Sequence, residues 1–340
     1  MKKTSVIILN WNGRKLLEQF LPDVLQYSLS DDCDVIVADN GSTDDSVRFL
    51  ENRFPHVPLI VFDKNYGFAE GYNKAIRQTD SEYVVLLNSD VQVTATWLDT
   101  LTAYMDSHPE TAAVQPKIRS FNDKQKFEYA GASGGFIDRY GYPFCRGRIL
   151  DTVETDNGQY DTVIPVFWAT GACLCIRRKE YMEAGGLDAG FFAHMEEIDL
   201  CWRLNARGKR IECVPASVVY HVGGASLDKE NPRKTYLNFR NNLLMIYKNA
   251  PKKQLFRIFA LRLILDFLAF IHLIIRGKTK NAKSIVESHR DFFVMRSAYK
   301  PLRKENLEKT VVKDIQGQFS GSILWNYYVK RKKTHQSIQS

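Results

Sequence analysis

Cysteine is scarce in this chain and nowhere paired at metal-binding or redox spacing. Six occur in 340 residues (Cys33, Cys145, Cys173, Cys175, Cys201 and Cys213), with no CxxC among them. They read as small core residues, which excludes a disulfide framework and a zinc site. A long apolar run at the start is also missing. Thr4-Ser5-Val6-Ile7-Ile8-Leu9 is too short for a signal peptide, and no small-residue cleavage site follows it. A cytoplasmic location is the expectation. Internal repeats and low-complexity linkers are absent too, so no domain boundary is expected before about residue 230. Net charge is distributed unevenly. Residues 1–230 carry 24 Lys/Arg against 33 Asp/Glu, a net of −9, and residues 231–340 carry 23 against 6, a net of +17. The basic third lacks the interleaved aromatics of a nucleic-acid module, which argues against nucleic acid as partner. It suits an anionic lipid surface.

The apolar fraction of 44% and charged fraction of 25% are those of an ordinary globular protein. A chain of this length buries one large core, with room for a smaller appended unit. Tyr83-Val84-Val85-Leu86-Leu87 is a continuous apolar run, the signature of a strand buried on both faces of a parallel sheet. It runs straight into Asn88-Ser89-Asp90. Ligands of such sheets sit at the carboxyl ends of the strands. A carboxylate there either caps the next turn or faces a cation.

Strands at 4–9, 35–38, 58–62 and 83–87 alternate with helical periods through Leu16–Leu25, 45–53 and 65–78. This β-α-β-α order predicts an α/β fold with a doubly wound, mostly parallel sheet. Asn10, Asp39 and Asp90, each finishing a strand, are then expected along one crevice. Residues 119–165, rich in Gly and aromatics without helical period, predict an irregular β region over that crevice. Strand character is expected again at 166–176 and 211–219, with a helix at 196–207. A helical, basic region is expected over 231–340, beyond a catalytic unit at 1–230. Within it, Leu255–Ile275 has the length of a membrane span but carries Arg257, Arg262, Asp266 and His272. At about 100° per residue these and Arg276 fall on one half of the helix, with Leu, Ile and Phe on the other. That pattern predicts a helix lying in a membrane interface, the alternative being one packed on the sheet domain. The basic tail Lys330-Arg331-Lys332-Lys333 adds to the first reading.

Four features can carry chemistry. Asp39, before Asn40-Gly41-Ser42-Thr43-Asp44, can accept hydrogen bonds from a nucleobase or ribose, although this is also ordinary turn chemistry. Gly67 and Gly71, around a helix start, allow close backbone approach and favour phosphate. Glu196, Glu197 and Asp199 enter a helix behind Phe191-Phe192. They suit a general base beside an acceptor hydroxyl, the alternative being first-turn acids that serve the helix dipole. His221, at the end of an apolar strand, becomes a ligand candidate only if Asp90 reaches the same cation.

In order and spacing, residues 4–225 resemble a family 2 glycosyltransferase of GT-A fold, close to the rhamnosyltransferase-like bacterial members. The matching stretches are Val6–Asn12, Val37–Asp44, Asn65–Ala69, Leu86–Asp90, Gly171-Ala172 before Arg177-Arg178, Phe191–Arg203 and His221–Gly224. The resemblance implies a nucleotide-sugar donor, UDP- or dTDP-linked, and a lipid-linked or glycan acceptor. It implies a divalent metal, Mg²⁺ or Mn²⁺, held by Asp90 and His221. Asn10, Asp39, Asn65, Gly67, Asn88, Asp90, Arg146 and Arg148 are implied on the donor side, with Asp39 on the base and the two arginines at the diphosphate or an anionic acceptor. Trp168, Gly171 and Asp199 are implied on the acceptor side, and Glu197 or Glu196 as catalytic base. Loops at 119–165 and 223–235 are expected to set specificity. Two departures stand out: Asn88 replaces the family's first aspartate, and Glu196-Glu197 stands where Glu-Asp is usual. The implied enzyme is inverting and works peripherally at the inner membrane face in cell-surface glycan synthesis. The competing class is a non-catalytic nucleotide-sugar-binding or scaffold protein of the same fold.

Overall fold

The computed structural model describes residues 2–223, 231–312 and 314–339. Gly224 and most of the loop expected over 223–235 lie outside them. In chain order the first half comprises β1 (Thr4–Asn10), α1 (Arg14–Ser28), β2 (Cys33–Asp39), α2 (Ser46–Arg53), β3 (Leu59–Val61), α3 (Gly67–Ile76), β4 (Tyr83–Asn88), β5 (Val91–Val93), α4 (Trp97–Ser107) and β6 (Thr111–Ser120). Short strands follow: β7 (Gly135–Asp138), β8 (Pro143–Cys145), β9 (Arg148–Ile149), β10 (Thr152–Val153) and β11 (Ile164–Pro165). Then come β12 (Cys173–Arg177), α5 (Arg178–Glu183), α6 (Glu196–Ala206) and β13 (Arg210–His221). The last third holds α7 (Pro232–Asn249), α8 (Lys252–Ile275), α9 (Thr279–Met295), α10 (Lys300–Glu308), β14 (Gln318–Phe319) and α11 (His335–Gln339).

The main sheet runs β11-β13-β6-β12-β4-β1-β2-β3, with β5 on β13. Strands β4, β1, β2 and β3 are parallel neighbours, as are β6 and β13. The expected doubly wound sheet is therefore present, with β12 inserted antiparallel between β4 and β6. Alternate residues explain why the strands read as unbroken apolar runs. Ile7, Val84 and Leu86 pack with α3, α6 and α7 on one face. Val6, Ile8, Val85 and Leu87 pack with α1 and α4 on the other. Helix α1 buries Leu17, Phe20, Leu21 and Val24, the i, i+3, i+4, i+7 stripe that a sheet face requires.

The strand expected over 166–176 is shorter. Only Cys173–Arg177 pairs along its length. Val166 N–H still bonds Ile211 O of β13, and Phe167 and Trp168 then turn to the small sheet, where Trp168 bridges Gly135. The irregular region is that small sheet, β10-β9-β8-β7-β14, closed by the C-terminal strand. Helix α7 begins on an Asn231 cap and Pro232, a strong start signal. Its Leu243, Leu244, Met245 and Ile246 are fully buried in the same core as β1 and β4. The chain position near 230 is thus no break in packing.

Helix α8 presents a reversed pattern. Its buried residues are Ile258, Arg262 and Asp266, while Phe256, Leu263, Ile264, Phe267, Leu268 and Ile275 are exposed. The apolar half does not pack on the sheet domain; part of the charged half does.

Candidate active site

Strand direction decides what meets at the carboxyl edge. Leu9 sits level with Asn88, and Asn10 with Asp39, across β4, β1 and β2. Since β6 runs antiparallel to β12, and β12 antiparallel to β4, β6 and β13 point the same way as β4. His221, ending β13, thus emerges at the same edge. Because β12 is reversed, the chain entering it, Gly171-Ala172, also lies there, and Asn88 N–H donates to Ala172 O at 3.0 Å.

Asp39 is fully buried. Its Oδ2 accepts from Asn10 Nδ2 (2.9 Å) and Ser42 Oγ (2.7 Å), and its Oδ1 from Ser42 N–H (2.8 Å). A carboxylate offers about four lone-pair directions, so one stays open. Asp90 Oδ1 lies 3.1 Å from His221 Nε2, and Asn88 Nδ2 lies 3.4 Å from that nitrogen. On the other side of the ring, Nδ1 is 3.5 Å from Glu128 Oε2. Burial disfavours the charged imidazolium, but Asp90 and Glu128 outweigh it and raise His221 to about 10. Burial likewise opposes ionised Asp90, and the His221 hydrogen bond more than offsets this, leaving its carboxyl below the usual range.

The donor set suits a divalent cation in kind, one hard carboxylate and one imidazole 3.1 Å apart, provided the cation displaces the proton now held between them. A carboxylate on the second ring nitrogen is the arrangement that orients a metal-bound histidine. Among the described residues no group of three such side chains forms a cage. Further positions would fall to donor phosphates and water, as is usual for Mg²⁺.

Glu196 and Glu197 open α6 under very different conditions. Glu196 is buried, and burial together with the Glu197 charge drives its carboxyl far upward. Glu197 is half-buried beside Gly171; burial pushes it up to about 7, against the pull of the backbone N–H groups of Glu197, Ile198 and Gly171. Each carboxyl has a buried Oε2 without a hydrogen-bond partner. The approach to this pair is strained. Phe192, His194 and Met195 all have φ near +70°, a conformation that costs a non-glycine residue about 1 kcal/mol or more. Two α7 side chains hold it. Asn241 Nδ2 donates to the carbonyls of Phe191 (2.9 Å), Ala193 (2.9 Å) and His194 (2.8 Å), and Arg240 Nη2 to Gly190 (2.9 Å) and Phe191 (3.1 Å).

Several residues implied at the site have other duties. Asp199 is fully buried and bound to Arg203 (3.0 Å), Lys248 (2.8 Å) and Asn249 (2.8 Å), so it anchors α7 to α6 and has no face for an acceptor. Arg146 donates to Ser133 O and Thr162 O, and Arg148 to Tyr129 O. Both guanidinium groups are folded inward against main chain in the small sheet. Trp168 is buried, with its indole N–H on Phe136 O at 2.8 Å. Asn65 Oδ1 accepts from Gly67 N–H (2.7 Å) and shapes the start of α3. Gly67 is needed because a Cβ would stand 2.5 Å from the Phe192 ring, and Gly71 because one would meet Leu9. These glycines serve contact between segments of the chain itself. Local sequence signals a charge or a glycine but not the partner that consumes it. Glu128 and the Arg240-Asn241 pair went unread for the converse reason: no short-range pattern ties residue 128 to 221, or 241 to 193.

Residues 5–164 match the family described as Glycosyl transferase family 2. The match spans 160 of the chain's 340 residues, from β1 into β11. It is 29% identical over 234 residues to the N-acetylglucosaminyl-diphospho-decaprenol L-rhamnosyltransferase of Mycobacterium tuberculosis, covering 64% of this chain and 75% of that one. The rhamnosyltransferase WbbL of Escherichia coli K12 is 27% identical over 219 residues, covering 61% and 77%. The fold is that of Staphylococcus aureus TarS 1–349, solved with UDP-GlcNAc: TM-score 0.57 at 16% identity, over 91% of this chain and 89% of that one. It is also that of the Pyrobaculum calidifontis mannosyltransferase PcManGT, solved with GDP-Man and Mn²⁺: TM-score 0.51 at 16% identity, over 90% and 84%. With a GT-A fold and a rhamnosyltransferase-like sequence, the chain is an enzyme of hexosyl transfer in glycan synthesis.

Proposed function

We propose that the protein is an inverting, divalent-metal-assisted glycosyltransferase. It moves a sugar from a UDP- or dTDP-linked donor to a hydroxyl of a lipid-linked or polysaccharide acceptor in cell-surface glycan synthesis. Likeness to two rhamnosyltransferases supports a rhamnosyl donor. The observation that carries the reading is the convergence of Asp39, the Asp90–His221 pair and Glu197 on one sheet edge. Asp39 uses its remaining lone pair on an N–H of the base. Asn10 and Ser42 fix its orientation. Asp90 and His221 are the residues that would hold Mg²⁺ or Mn²⁺ at the diphosphate, where the cation would supply positive charge against the leaving group.

Glu197 is the base, because it is half-buried beside Gly171 and raised to about 7, whereas Glu196 is buried with its carboxyl driven further upward. Its carboxylate takes the acceptor hydroxyl proton as that oxygen attacks the anomeric carbon. The carbon–oxygen bond to the nucleoside diphosphate breaks on the opposite face, and the anomeric centre inverts. Acceptors of this class sit at membranes. The +17 of residues 231–340 supports peripheral attachment to an anionic bilayer on its cytoplasmic face.

The test is turnover of UDP- and dTDP-sugars with Mn²⁺, the product's anomeric configuration being read by NMR. Turnover that stops in Glu197→Gln while donor binding persists supports the reading. Donor binding without transfer to any acceptor or to water would instead favour a non-catalytic binding protein.

A further inference from the structure

Helix α8 has its charges inside and its apolar side chains outside. Arg262 Nη2 pairs with Asp266 Oδ1 at 3.2 Å, and Asp266 also meets His289 of α9 (3.0 Å) and the Tyr142 hydroxyl of the β7–β8 turn (3.3 Å). The Arg262 guanidinium lies over the Tyr142 ring at 4.1 Å. This cluster fixes the helix's rotation. It turns Phe256, Leu263, Ile264, Phe267, Leu268, Ile271, Ile274 and Ile275 to the surface, where they are 37–86% exposed. At about 100° per residue these eight fall within roughly 140° of the helix surface, along about 29 Å of its axis. Burying a Leu or Phe is worth about 1.5–3 kcal/mol, so a stripe of eight left in water is a large unmet driving force.

Charge indicates what covers it. Exposed Lys252, Lys253 and Arg257 stand at one end of α8 and Arg276 at the other, with exposed Lys280, Lys283 and Arg290 following on α9. A second copy of the chain would bring two such basic faces together. An anionic headgroup layer over an apolar interior matches both the stripe and its rim. Spanning the bilayer is incompatible with Arg262 and Asp266, mid-helix, being bound side-on to α9 and Tyr142.

We propose that the outward face of α8 lies in the plane of an anionic lipid surface, apolar side chains below the headgroups and basic ends among them, making α8–α9 a monotopic docking element. This deepens, and rests on, the membrane-side part of the proposed function. The test is co-sedimentation of the full chain with vesicles of phosphatidylcholine alone or mixed with phosphatidylglycerol. The unmodified protein is expected to sediment with the mixed vesicles and to be released by salt. Phe267→Glu/Leu268→Glu is expected to weaken binding by tenfold or more with an unchanged melting temperature, since both positions are already exposed. Lys252→Glu/Lys253→Glu/Arg257→Glu is expected to remove the preference for phosphatidylglycerol. Equal sedimentation of the Phe267/Leu268 variant, or no sedimentation of the unmodified protein, overturns the proposal. So does a dimer in lipid-free solution that the Phe267/Leu268 variant dissolves, which would make the occupant a second copy. Sedimentation reads no turnover, so its failure leaves glycosyl transfer standing, and loss of transfer alone leaves the docking surface standing.

Discussion

Two adjacent glutamates are both raised by burial, Glu196 the further because it also meets the charge of Glu197. Glu197, raised to about 7 by burial, must be ionised to take a proton. Activity is therefore expected to climb with pH through a midpoint near 7, and a pH–rate profile checks this. The sign for stability is the reverse. A carboxyl raised on folding favours the native state fully below its ordinary value of about 4.5 and loses that benefit as pH rises through 7. Glu196→Gln, which keeps a neutral side chain in a buried slot, is expected to retain far more activity than Glu197→Gln. Glu128 gives a second residue-level expectation. It faces the far ring nitrogen of His221, so Glu128→Gln should weaken Mn²⁺ affinity by about tenfold or more, read by calorimetry with a nucleoside diphosphate present. An unchanged affinity would remove Glu128 from the site. The sequence identified Asp90 and His221 through their places at strand ends. It said nothing of Glu128, which comes from the irregular segment between β6 and β7.

Elements differ in how legible they were. Strands β1 and β4 announced themselves because both of their faces are covered, which leaves an apolar residue at every position. Leu86→Ala in β4, at a fully buried site, is expected to cost about 2–5 kcal/mol in chemical denaturation. Helix α8 was legible as amphipathic, but which half faces the protein depended on Tyr142 and His289, which lie outside the helix. The loop before α6 was legible only as an aromatic approach to acids. Its three left-handed residues persist because Asn241 satisfies three of its carbonyls. Asn241→Ala is expected to destabilise the fold by about 1–3 kcal/mol and to lower kcat with little change in donor KM. Loss of donor affinity instead would place Asn241's effect on binding rather than on the catalytic loop.

Across the whole molecule, the last third is part of the catalytic body as well as its basic flank. Removing residues 231–340 would strip four fully buried side chains, Leu243 to Ile246, from the core. It would also leave Asp199 without Lys248 and Asn249. Asp199 would keep Arg203 alone of its three partners, and opening a buried ionic network costs stability. The truncated chain is therefore expected to lack a cooperative melt and near-UV circular dichroism, both of which the full chain should have. By itself the sequence determined the alternation of strand and helix, the edge to which Asn10, Asp39, Asp90 and His221 belong, and the family. Those follow from periodicity and motif order, which are local. Only the tertiary structure decided that Arg146, Arg148 and Asp199 are consumed as internal anchors, that Glu196 is the more deeply buried of the two glutamates, and that α8 turns its apolar face outward. Each of these depends on which distant group neutralises, buries or bonds the side chain, and no spacing along the chain carries that information.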